Sequence, residues 1–172
     1  MAHPIETTKI PEHSKIHTAL ASPDYSEAYR VVLPNGIQTD VSSATRAILF
    51  EQSPRWIDSL MELRNKFAKW SGLKIAIIDR NEVLENFSFD RETLGLFHVY
   101  GYDNREVILG EDDKHLDFRV SIHVSDSAPQ EVTVSTVIDF KNWFGRLYFI
   151  PVSFFHRLMV KFLLRNAKWT IA

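Results

Sequence analysis

Glu111-Asp112-Asp113-Lys114-His115 is the densest run of proton-active and metal-ligating side chains in the sequence, and His123 shares the strand parity of His115. Carboxylates with imidazole suit a hard cation or zinc. Adjacent side chains point in different directions, however, and Lys114 puts a cation where a metal would sit. The run therefore reads as a polar hairpin turn, and no metal site is expected. His98, Tyr100 and Tyr102 alternate along a second stretch and, on one face of a strand, would form an acid–base set inside a cavity. Strand aromatics more often pack across to their neighbours, so no catalytic residue is assigned there. His156 beside Arg157 reads as a solvated or capping pair. Arg157, Lys161, Arg165 and Lys168 recur at helical spacing. Such a stripe can touch anionic lipid or phosphate, but its ordinary role is a solvated face.

Several chemistries are excluded by composition. The 172 residues include no cysteine, so disulfides, thiolate catalysis and Cys-based zinc or iron–sulfur sites are ruled out. Only six glycines occur, and neither a GxGxxG nor a Walker pattern is among them. A nucleotide bound by such a loop is not expected, and no cofactor is assigned. Twenty Lys and Arg against 22 Asp and Glu give a net charge of −2, which lacks the basic footprint of a nucleic-acid binder.

The elements that must position these residues follow from periodicity. At 172 residues, 45% hydrophobic and 24% charged, the chain suits one folded domain with a substantial core. Residues 1–23 carry Pro4, Pro11 and Pro23 without a sustained period and read as an arm, leaving 24–172 as the domain. A strand is expected over 25–33, closed by a turn at Pro34-Asn35-Gly36, and a short helix over 45–50. Ser53 and Pro54 open an amphipathic helix that carries Trp56, Leu60, Leu63, Phe67 and Trp70 on one face and stops at Gly72. The stretch 74–89 is ambiguous between a short strand and a connection. Period-two segments follow at 94–102, 106–111, 116–125 and 130–140, joined by short polar turns that force an antiparallel meander. Leu116, Phe118, Val120, Ile122 and Val124 share one face and polar residues the other, which predicts one packed side and one wet side. A final helix over 148–168 is expected to turn Phe155, Leu158, Met159 and Phe162 toward the sheet and its cations away. The result is an α+β layer architecture.

No signal-peptide core or transit pattern stands at the start of the sequence, so the expected location is cytoplasmic. The apolar stretch 147–164 is broken by Pro151, Ser153, His156, Arg157 and Lys161, and no membrane span is expected.

Three segments carry a family resemblance: PRWIDSLMELRNKFAKWSGLK from Pro54, LGEDDKHLDFRVSIHV from Leu109, and NWFGRLYFIPVSFFHRLMVKFLL from Asn142. With the order of elements, they resemble an uncharacterised domain-of-unknown-function family within the START-like (SRPBCC) helix-grip superfamily. The resemblance implies a curved antiparallel sheet around a long C-terminal helix, a cavity for a small apolar or amphipathic ligand, and kinship with domains fused to nicotinamide-dependent reductase-like domains. His98, Tyr100, Phe118, Trp143, Phe155, Met159 and Phe162 are the residues expected to line such a cavity. The leading expectation is thus a ligand-binding module. The alternatives are a cyclase- or hydratase-like enzyme using a cavity His or Tyr, and an interaction module docking through an exposed apolar patch.

Overall fold

The alternation in the second half of the sequence builds a single antiparallel sheet. A computed structural model describes residues 4–51 and 80–169, with seven strands in the order β1-β2-β7-β6-β5-β4-β3. They are β1 (Ile5–Thr7), β2 (Tyr25–Val32), β3 (Thr93–Leu94), β4 (Phe97–Tyr102), β5 (Glu106–Asp112), β6 (Leu116–Val124) and β7 (Glu131–Phe140). Three α-helices occur among the described residues: α1 (Val41–Leu49), α2 (Arg80–Glu85) and α3 (Trp143–Asn166). The helix expected over 54–72, with its apolar face from Trp56 to Trp70, and the run 75–79 lie outside the described residues.

Strands β4 to β7 follow the expected segments closely, because period-two alternation and short turns leave little choice of register. Gly95, with φ +64°, divides the segment expected at 94–102 into β3 and β4. Strand β2 pairs with β7 from Tyr25 opposite Ile138 to Val32 opposite Glu131, which joins the start of the domain to the end of its meander. On the helix side, Val31, Val107, Leu109, Ile122 and Val132 are fully buried against Ala44 and Ile48 of α1 and Leu164 of α3. Helix α1 starts earlier than expected because Asp40 caps it, accepting from the Ser43 amide at 2.9 Å.

The second face of the sheet is not the wet one predicted. The N-terminal arm crosses it, and a 3₁₀ turn at Lys15–Thr18 buries Ile16 and Leu20 against Ile108 and Val137. Beneath the arm, Glu106 and Ser121 are internally bonded instead of hydrated. Ser14 and Ser121 both donate their hydroxyls to Glu106, whose other oxygen accepts from the Lys15 amide at 2.7 Å. Glu106 is 2% exposed. Alternation distinguishes apolar from polar but not hydrated from internally bonded, and the expectation failed at that distinction.

Helix α3 begins at Trp143 rather than 148. Asn142 caps it by accepting from the Gly145 amide at 3.0 Å, and its own amide donates to the Lys114 carbonyl at 3.1 Å. Pro151 consequently sits inside the helix, where it forgoes one backbone bond to the exposed Leu147 turn. Gly145 lets the helix start against the β5–β6 hairpin, since a Cβ there would stand 2.2 Å from the His115 carbonyl oxygen. Gly145→Ala is expected to push the helix start off the hairpin and cost about 1–3 kcal/mol in thermal unfolding. Unchanged melting would mean that this contact does not hold the helix.

Candidate functional site

Strand β2 sends Tyr25, Glu27 and Tyr29 to the helix side, because residues two apart share a face. A carboxylate on a packed face must find donors. Glu27 accepts from Tyr25 Oη at 2.6 Å, from Tyr29 Oη at 3.1 Å and from His156 Nδ1 of α3 at 2.6 Å. Arg157 Nε stands 3.5 Å away and donates to Tyr25 Oη at 3.2 Å. Burial alone would raise the Glu27 pKa, but the bonds from His156 and Tyr25 outweigh it and hold the carboxyl below its ordinary value. Burial and the Glu27 charge push Tyr29 up to about 12. Lys161 lies over the Tyr29 ring, 5.0 Å from its centroid. This cluster ties the middle of α3 to the sheet. His156 is therefore neither solvated nor capping, and Arg157 and Lys161 turn back to β2 instead of away from it.

The hairpin run is spent on separate partners. Glu111 Oε2 is 3.5 Å from His98 Nε2, Asp112 meets Arg119 at 2.7 Å, and Asp113 accepts from the Lys114 amide at 2.6 Å. His115 stacks on Phe144 with centroids 4.7 Å apart, while His123 stands opposite Glu106, about eight strand positions or 27 Å along the sheet. No group of three or more metal-ligating residues occurs among the described residues. An open crevice of about 330 Å³ at this end is lined by Glu92, His98, Val99, Tyr100, Glu111 and Asp112. Arg119 lies over the Tyr100 ring at 3.5 Å. Burial raises the pKa of Tyr100, and the Arg119 bond holds Asp112 low against its own burial.

His98, Tyr100 and Tyr102 do not share a face. A register shift between Val99 and Gly101 sets His98 opposite Gly110 but Tyr102 opposite Val107, reversing the parity. Tyr102 instead packs on Phe89 and donates to Asp90. Of the seven residues expected to line a cavity, the crevice brings together only His98 and Tyr100. Phe118 packs edge-on to Phe97, and Met159 and Phe162 are half-buried against the core. Trp143 and Phe155 face outward, 73% and 44% exposed. Helix α3 is rotated from the expected setting, with Phe149, Val160, Leu163 and Leu164 inward and Leu158 outward. Apolar side chains surround it so nearly completely that spacing could not orient it.

The outer face of α3 carries Trp143, Leu147, Ile150, Phe154 and Leu158 in steps of four, three, four and four, all exposed. By length and composition this helix could cross a membrane, with 22% of its apolar window buried, so the interruptions named above do not remove it from that class. Charge is partitioned as sharply as apolarity. From Lys141 onward the sequence holds six of its 20 Lys and Arg and none of its 22 Asp and Glu.

A seven-stranded antiparallel sheet with a C-terminal helix fastened across it defines an α+β domain of sheet-and-helix type. Residues 19–163 match the model of the DUF2867 family, proteins of unknown function, and the chain belongs to that family. No curated protein and no solved structure matches it.

Proposed function

We propose that the domain is a START-like helix-grip fold that binds an apolar or amphipathic partner through the outer face of α3. The order of elements supports the fold reading: a first strand, helices, a meander returning beside that strand, and a long closing helix. The observation carrying the functional reading is the exposed apolar ridge on α3, since large apolar side chains gathered in one exposed patch mark binding surfaces. The space between sheet and helices is meanwhile occupied by one continuous cluster of buried side chains.

Binding of the neutral probe Nile red discriminates the outer face from an interior cavity. Ile150→Ser with Phe154→Ser is expected to lower probe binding strongly while stability changes by no more than about 0.5 kcal/mol, as usual at exposed positions. Met159→Trp, on the packed side, is expected to cost about 1–3 kcal/mol and leave probe binding in place. The reverse pattern, with Met159→Trp abolishing uptake at little cost, would move the ligand inside and end the outer-face reading.

A further inference from the structure

Building on the reading of α3 as a binding face, we propose that its partner is an anionic lipid bilayer, with the helix lying in the membrane plane. The ridge from Trp143 to Leu158 would enter the boundary between headgroups and acyl chains, and the cations would meet the headgroups. Three observations converge on this partner. The ridge is apolar and exposed along four turns, with Trp143 at one end, where an amphipathic ring suits the interface.

The charge is of one sign. Arg146 and Arg157 are held by Asp24 and Glu27 and Lys161 by the Tyr29 ring, while Arg165 in the last turn and Lys168 just beyond the helix extend the charge past the ridge, with no carboxylate on the helix itself. Arg165 and Lys168 are exposed. An acidic surface therefore complements the face, and the negative leaflet of a membrane supplies one together with an apolar layer beneath it.

The helix is also fixed in a lying position. Phe149, Leu163 and Leu164 are packed into the sheet side, His156 is bonded to Glu27, and Arg146 is bonded to Asp24 at 2.8 Å. A spanning helix would have to surrender all of these contacts, whereas an in-plane one keeps them and buries only its outer face.

Flotation of the intact chain with phosphatidylserine-containing vesicles and with pure phosphatidylcholine vesicles, at low and high salt, tests this. The expected result is flotation with the anionic vesicles only, weakened by salt. Arg165→Gln with Lys168→Gln should lower that affinity on the order of tenfold or more. Ile150→Ser with Phe154→Ser should abolish it, with circular dichroism verifying that each variant is folded. Equal flotation with both vesicles overturns the proposal. Retention in the bilayer after alkaline extraction overturns it too, by showing that α3 spans. No flotation, together with self-association that Phe154→Ser abolishes, overturns the lipid partner while the binding-face reading survives. Absence of both flotation and self-association removes the two together.

Discussion

Glu106→Ala is expected to lower the unfolding free energy by about 3 kcal/mol and to release the N-terminal arm. The carboxyl of Glu106 is the common acceptor for Ser14, Ser121 and the Lys15 amide, and it is 2% exposed. A hydrogen bond to a charged group contributes about 1.5–3 kcal/mol, and a buried donor left unmade costs about 1–3 kcal/mol. Both hydroxyls lie in buried residues, Ser14 at 5% and Ser121 at 0% exposure, so water cannot readily replace the lost acceptor. For a domain of this size the Tm should fall by about 6–12 °C. Limited proteolysis should then cut within residues 8–20 well before the sheet is attacked. Glu106→Gln retains one acceptor oxygen and should fall between the two. Wild-type melting in Glu106→Ala would show that the arm is held by Ile16 and Leu20 alone.

The second large effect is expected at Glu27, and it depends on pH. Its folded pKa is depressed below the ordinary 4.5, with burial raising it and donation from His156, Tyr25 and Tyr29 lowering it further than burial raises it. A depressed carboxylate contributes stability that is present above the unfolded pKa and is lost as pH falls through the folded value. Glu27→Gln removes the charge and keeps the shape. At about pH 7 the variant should be less stable by about 2 kcal/mol, a loss in the range of one charged hydrogen bond. The gap should begin to narrow as pH falls below the ordinary 4.5 and close only once pH has fallen through the depressed folded value, where the wild-type carboxyl is neutral too. Urea unfolding along that pH range reads the difference directly. A gap that stays constant with pH would mean the cluster acts by shape and not by charge.

These two carboxylates also mark where the sequence ceased to be legible. The strands of the meander could be read because each has an apolar face and short polar turns, and β2 ends within one residue of its expected limit. Glu27 breaks the apolar parity of β2, and its partner His156 lies 129 positions away, beyond the reach of any local pattern. The signal available was a carboxylate between two tyrosines of like parity, which is an acceptor flanked by two donors. Glu106 was legible only as the start of the strand expected over 106–111, since nothing in a proline-rich arm announces that it will cover the opposite face. The orientation of α3 was hidden for a different reason. Leu147 and Phe154 outside resemble Phe149 and Leu163 inside, so only the partners on the sheet decide which side turns in. Of the candidate cavity residues, spacing placed Met159 and Phe162 against the core but could not foresee that Trp143 and Phe155 point outward.

The pairing of β2 with β7 carries a consequence for synthesis. Arg30 of β2 and Glu131 of β7 bond at 3.1 Å across 101 positions of sequence. Contacts of such long range are slow to close, because the intervening loop must give up its entropy before the pairing returns anything. A ribosome adding about 5–20 residues per second needs roughly 5 to 20 s to travel from one strand to the other. Throughout that interval β2 emerges with Tyr25, Tyr29, Val31 and Val32 unpaired, beside a β1 of only three residues. Any product cut short before Glu131 keeps that strand unsatisfied indefinitely, a template for edge-to-edge aggregation.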